Sequence, residues 1–235
     1  MRFLLALLAL LAGIGSIDAT AAPRDWNSVV TRTASGSYVI GNPRAKVRLV
    51  EYLSYTCPHC AEFLAESAPV LRGQMVRSGS TSIELRTATR DPLDLAAALL
   101  ARCAGPAGLV GATDAMFAQQ DVWESRGMRF QSVNGSRLNM YPQPARLRAL
   151  ADGAGLTDLM RGRGMTDATI DACFANDAEL LAIAATSDRS WAAIHAMPAL
   201  PGQPNGTPSF EVNGKPYAHI GWAGLEKVLR AAGAQ

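Results

Sequence analysis

Val47-Arg48-Leu49-Val50-Glu51-Tyr52-Leu53-Ser54-Tyr55-Thr56-Cys57-Pro58-His59-Cys60 carries the chain from a strand into a helix. The β-branched and aromatic residues of Val47 to Tyr52 predict the strand. Beyond the cysteines, Phe63, Leu64, Ser67 and Leu71 fall at helical spacing. Pro58 stands just inside the helix start, where its missing N–H would be unpaired anyway. The cysteine pair therefore lies at a strand-to-helix junction, with Cys57 at the cap. Cys57 is expected to be exposed there, and Cys60, one turn in, half-buried. Unpaired N–H groups and the partial positive charge of a helix start favour thiolate over thiol, and His59 adds a polar, ionisable neighbour. Two intervening residues let the sulfurs bond without displacing the backbone. A low-pKa Cys57 is a good leaving group, so its disulfide is expected to be oxidising.

Other uses of this spacing fit less well. A structural disulfide needs no strand–helix junction. Half a zinc site needs a second ligand cluster, whereas Cys103, Cys173, His195 and His219 are dispersed singly. A c-type haem site needs histidine directly after the second cysteine, and Ala61 is there. No metal site and no cofactor are expected.

The compartment is read from the first residues. Arg2, the small-and-apolar run Phe3 to Ile14 and the Ala19-Thr20-Ala21 site form the pattern of a cleavable export signal over residues 1–22. The run is too short to span a bilayer core, which needs about 20 residues. Export means an oxidising, periplasmic setting in which disulfides persist. Among 235 residues, 22 Lys+Arg face 20 Asp+Glu, so a net charge of +2 gives no reason to expect nucleic acid as a partner. Hydrophobic residues at 49% and charged ones at 18% suit a folded chain rather than a disordered one.

Along the rest of the chain, Pro23 to Ser35 reads as an irregular lead-in, and Tyr38-Val39-Ile40 and Ile83-Glu84-Leu85 as strands. From Asp91-Pro92 the character turns helical, with further starts at Thr166 and Asn176 and an end near Met197-Pro198. Gly105, Gly108, Gly111, Asn134-Gly135 and Tyr141-Pro142 are expected to cut this block into short pieces. Ser209 to Val212 and Pro216 to His219 then flank Asn213-Gly214-Lys215 as a hairpin, and Trp222 to Ala232 forms a last helix. The order is β-α-β, a helical block, then β-β-α.

Val50 to Cys60 resembles the active-site segment of the DsbA family of exported thiol:disulfide oxidoreductases, and Gly206-Thr207-Pro208-Ser209-Phe210 resembles that family's cis-proline loop. The order of elements matches over most of the chain, with specific motifs confined to its two ends. Pro198 to Pro204 departs from the family pattern. The resemblance implies an α/β, thioredoxin-like fold in residues 36–90 and 191–235, with an inserted helical domain in 91–190. It also implies Cys57 as the attacking thiol, Cys60 as the resolving thiol, Pro58 and His59 as the residues that tune them, and Pro208 as the cis-proline. Thr207 would present its backbone to a substrate chain, and Glu51 is a candidate proton relay. Cys103 and Cys173 lie on apolar helix faces; two buried free thiols and a bond between the helices both fit, and the bond, found in some relatives, is the favoured reading. The expected activity is a disulfide oxidase, a monomer acting on reduced exported proteins and recharged by a DsbB-like membrane partner. A reductase or isomerase on the same fold is the alternative, disfavoured because the 35 or so residues between the cleavage site and the cysteine pair leave no room for a dimerisation domain. A non-catalytic module binding metal or unfolded chains is the remaining one.

Overall fold

In a computed structural model, which describes residues 24–235, β3 (Val47–Leu53) lies at the centre of a mixed sheet of order β1-β2-β4-β3-β5-β6. The expected export signal lies outside the described residues. β3 pairs in parallel with β4 (Thr81–Thr87) on one side and antiparallel with β5 (Ser209–Val212) on the other. Both of its edges are therefore paired, and Val47, Leu49, Tyr52 and Leu53 are buried. β2 (Tyr38–Gly41) continues the sheet past β4, and β6 (Lys215–Tyr217) completes it beyond β5. The Asn213-Gly214 turn of that hairpin takes positive φ at both residues, 51° and 83°, as a right-twisting two-residue turn demands. β6 is shorter than the sequence suggests, ending at Tyr217.

The lead-in is not irregular. Trp26–Ser28 forms a 3-10 turn and Val30–Arg32 an edge strand, β1, too short for any alternation to show in the sequence.

α1 (Pro58–Val70) follows β3 and packs Phe63 against Phe210 and Trp222, tying the helix to β5 and to α9 (Trp222–Ala232). Pro69 lacks the N–H that would continue the i→i−4 ladder, and the chain goes on as a π-helical turn, Leu71–Val76.

The helical segment comprises α2 (Pro92–Cys103), α3 (Gly105–Ala118), α4 (Gln120–Leu138), α5 (Gln143–Ala154), α6 (Leu156–Arg161), α7 (Asp167–Phe174) and α8 (Asp177–Ala196). Asp91, Thr166 and Asn176 cap α2, α7 and α8 with their side chains, as the sequence predicts. The predicted fragmentation is found only in part: Gly108 and Gly111 lie inside α3, and Asn134-Gly135 inside α4. The Asn134 amide bonds back to the Phe130 carbonyl at 2.9 Å, within its own helix, instead of forming a turn. Gly127, also in α4, is needed for close packing, since a Cβ there would lie 2.5 Å from Leu93 Cδ2. Two breaks survive: Gly105, with φ 69°, at the junction of α2 and α3, and Tyr141-Pro142, between α4 and α5.

Candidate active site

Cys57 is the N-cap of α1, with extended φ and ψ, and its carbonyl accepts the Cys60 and Ala61 N–H groups. The α1 start thus holds both cysteines on one turn, as free thiols. Neither is as open as the sequence suggests: Cys57 is 2% exposed and Cys60 fully buried. The cover comes from far along the chain. Thr207 sits against the Cys57 sulfur, which donates its S–H to the Thr207 carbonyl at 3.0 Å. Thr207-Pro208 is a cis peptide bond.

The two thiols ionise very differently. Cys57 is lowered to about 5, first by a hydrogen bond from Cys60, then by Thr207 and by the charge of Arg90, against the opposing effect of burial. The Thr207 hydroxyl, buried without a hydrogen-bond partner among the described residues, is a donor available to the thiolate in place of the carbonyl acceptor. Burial pushes the Cys60 thiol well above its ordinary value. Charge on the pair is thereby concentrated on one sulfur.

Glu51, one strand away, is buried, and that burial raises it to about 7, against the lowering pull of Arg72. Its charge in turn disfavours the Cys60 thiolate. His59 is exposed and lines a groove of ≈ 590 Å³ with Phe63, Thr207, Pro208, His219 and Trp222. Gln203 and Pro204, from the proline-rich stretch that departs from the family pattern, line the same groove.

Several residues of the site carry no motif. Gln120, buried at the start of α4, donates from one amide nitrogen to the Tyr55 and Cys57 carbonyls, at 2.7 and 2.9 Å. Asp94, fully buried on α2, accepts from Ser54 and from the Tyr55 N–H. Tyr55 itself stacks on Phe117 of α3, ring centroids 5.2 Å apart. The cysteine loop is therefore held from the helical segment as well as from β3. Asp94 was readable as a residue of the capped α2 start; its reach across to Ser54 was not.

Cys103, at the end of α2, and Cys173, on α7, are bonded to each other, with Cα atoms 6.0 Å apart. The bond lies away from the groove and joins two helices of the same layer.

A family model described as Thioredoxin matches residues 33–231. A crystal structure of a protein-disulfide isomerase from Novosphingobium aromaticivorans is 34% identical, with a TM-score of 0.72 over 83% of this chain and 96% of that one. Wolbachia pipientis alpha-DsbA1 shares the fold at 17% identity, with a TM-score of 0.64 over 86% of this chain and 92% of its own. A curated relative in Rickettsia typhi, named a protein-disulfide oxidoreductase as an unconfirmed assignment, is 32% identical over 96 residues. That match covers 40% of this chain and 36% of the relative, so the chain spans about a third of the length of such relatives.

Proposed function

The chain belongs to the thioredoxin family, and we propose that it is a DsbA-like, exported thiol:disulfide oxidoreductase that donates disulfides to folding proteins. The observation that carries this reading is the split between the two sulfurs. Cys57 is held toward thiolate at a helix start, and Cys60 is held toward thiol by burial. A dithiol whose attacking sulfur is stabilised as thiolate resists reoxidation, so its disulfide readily accepts electrons.

The cycle starts from the Cys57–Cys60 disulfide. A substrate thiolate attacks the Cys57 sulfur, forming a mixed disulfide and expelling Cys60. Cys60 takes up a proton, for which Glu51, raised to about 7 by burial, is the candidate relay. A second substrate thiolate then attacks the substrate sulfur of the mixed disulfide. Cys57 leaves as thiolate, the substrate gains its disulfide, and the enzyme keeps two electrons as a dithiol. A membrane partner of the DsbB kind would reoxidise it. The groove beside His59 and Thr207 is the seat for the substrate chain, whose backbone would pair with Thr207 as a short strand. Residues 1–22 serve export, residues 36–90 and 191–235 form the thioredoxin-like domain, and residues 91–190 form the helical insertion. The Cys103–Cys173 bond has a structural role.

Oxidative refolding of a reduced protein substrate tests the reading. Wild type should accelerate it and Cys57→Ser should abolish the acceleration. Retained function in Cys57→Ser would favour a non-catalytic binding module instead. The isomerase alternative draws support from the name of the Novosphingobium relative. Efficient reshuffling of scrambled ribonuclease, lost in Cys57→Ser, would favour it.

A further inference from the structure

The turn from β4 into α2 ends in Arg90-Asp91, and both residues are committed to the cysteine loop. Asp94 Oδ2 accepts the Arg90 backbone N–H at 2.9 Å, while the same oxygen accepts the Ser54 hydroxyl at 2.6 Å. Asp91 caps α2 through the Asp94 N–H and accepts the Thr56 hydroxyl at 3.0 Å. One residue upstream, Thr89 is pinned by Ser187 of α8, and its carbonyl accepts the Trp191 N–H. The Arg90 backbone is therefore fixed on both sides. At its far end, Arg90 Nη2 donates to the carbonyl of Thr56, the residue directly before Cys57, and lies 3.4 Å from the Thr56 hydroxyl.

A guanidinium keeps its charge at every physiological pH. Among the described residues Arg90 forms no direct ion pair. Its neighbourhood also holds Asp91, Asp121 and Glu124, whose charges oppose a thiolate. Arg90 is the cation that bears on the Cys57 sulfur, while His59 of the motif lies exposed toward the groove.

We propose that Arg90 is a positioning residue of the exchange site: Asp94 fixes its backbone, the Thr56 carbonyl fixes its guanidinium, and the cation so held favours the Cys57 thiolate and makes the Cys57–Cys60 disulfide a stronger oxidant. This rests on the exchange reading above. Arg90 touches neither substrate nor sulfur in this role; it acts through the field at Cys57 and through the peptide that leads into it. The site is thus tuned from a loop that no cysteine motif marks.

Three forms of the full chain decide the matter: wild type, Arg90→Gln and Arg90→Lys. Thiolate absorbance against pH reads Cys57, and equilibration with glutathione reads the couple. Arg90 is exposed at the surface, so its substitution leaves the core intact. We expect Arg90→Gln to move the Cys57 titration up by about one pH unit, and to shift the glutathione equilibrium about tenfold toward the disulfide. Arg90→Lys keeps the charge and should recover at least half of both effects. The difference between wild type and Arg90→Gln should narrow in 1 M salt, where the Debye length falls to about 3 Å. Unchanged titration in Arg90→Gln, or Arg90→Lys behaving as Arg90→Gln, overturns the proposal. So does a variant that melts earlier yet titrates as wild type. Wild type that fails to exchange with glutathione at all would overturn the exchange reading beneath it, which separates the two failures.

Discussion

At the residue scale the site consists of sulfur and carboxyl groups pushed to unusual ionisation by different means. For Cys57, hydrogen bonds from Cys60 and at Thr207 outweigh burial, and the thiol falls to about 5. In the reduced protein this is a depressed pKa, so the stabilisation is fully present above the unfolded value of about 8.5 and is lost as pH falls through about 5. The disulfide form has no such group. The melting temperature of the reduced form should therefore gain on that of the oxidised form as pH rises from about 5 to about 8.5, as calorimetry of both forms at several pH values would measure. Glu51 has the opposite sign. Burial raises it to about 7, so the folded state is favoured with Glu51 protonated, and this advantage is lost as pH rises through that value. Glu51→Gln should remove the penalty, stabilising the protein at pH 8 by about 2 to 3 kcal/mol in chemical denaturation. The same substitution should slow substrate oxidation by about tenfold or more in kcat, with KM unchanged, if Glu51 moves the Cys60 proton.

At the scale of elements, end signals were the most legible part of the chain. Asp91, Thr166 and Asn176 accept hydrogen bonds from the first turns of α2, α7 and α8, and the Asn213-Gly214 turn takes the backbone its residues predict. These are local devices, complete within a few residues. Misreadings arise where tertiary packing decides. Gly108, Gly111 and Asn134-Gly135 look like breaks in the sequence, yet α3 and α4 continue through them. Gly127→Ala would place a Cβ 2.5 Å from Leu93 and 3.2 Å from Ala154 Cβ. It should therefore destabilise by about 1 to 3 kcal/mol despite the better helix propensity of alanine. The Cys57 cover is legible only through the resemblance that marks Thr207-Pro208 as the cis-proline loop, since Thr207 arrives from 150 positions away. Asp94 and Gln120 bind the loop through bonds that no spacing encodes. The Cys103–Cys173 bond joins α2 to α7 across 70 residues. Replacing both by serine should cost about 4 kcal/mol in denaturant on the loop-entropy account. Substrate oxidation at low temperature should be unaffected.

At the scale of the whole molecule, the helical segment and the sheet share the work of one short loop. β3 and α1 place the cysteines, β5 brings the Thr207-Pro208 loop against them, and α2 and α4 hold the loop from the other side. Such bracing holds the two cysteines on one turn at the α1 start. No helix among the described residues is long and apolar enough to cross a membrane, and the net charge of +2 gives little steering toward any one class of chain. The groove beside His59 is the surface we propose for selecting substrates. Direction of electron flow is the central claim, and the equilibrium between Cys57–Cys60 and the glutathione couple measures it most directly. We expect a potential more positive than that of glutathione, with Cys57 and Cys60 reduced in a buffer that leaves ordinary structural disulfides intact. A potential near that of thioredoxin, about −270 mV, would contradict it.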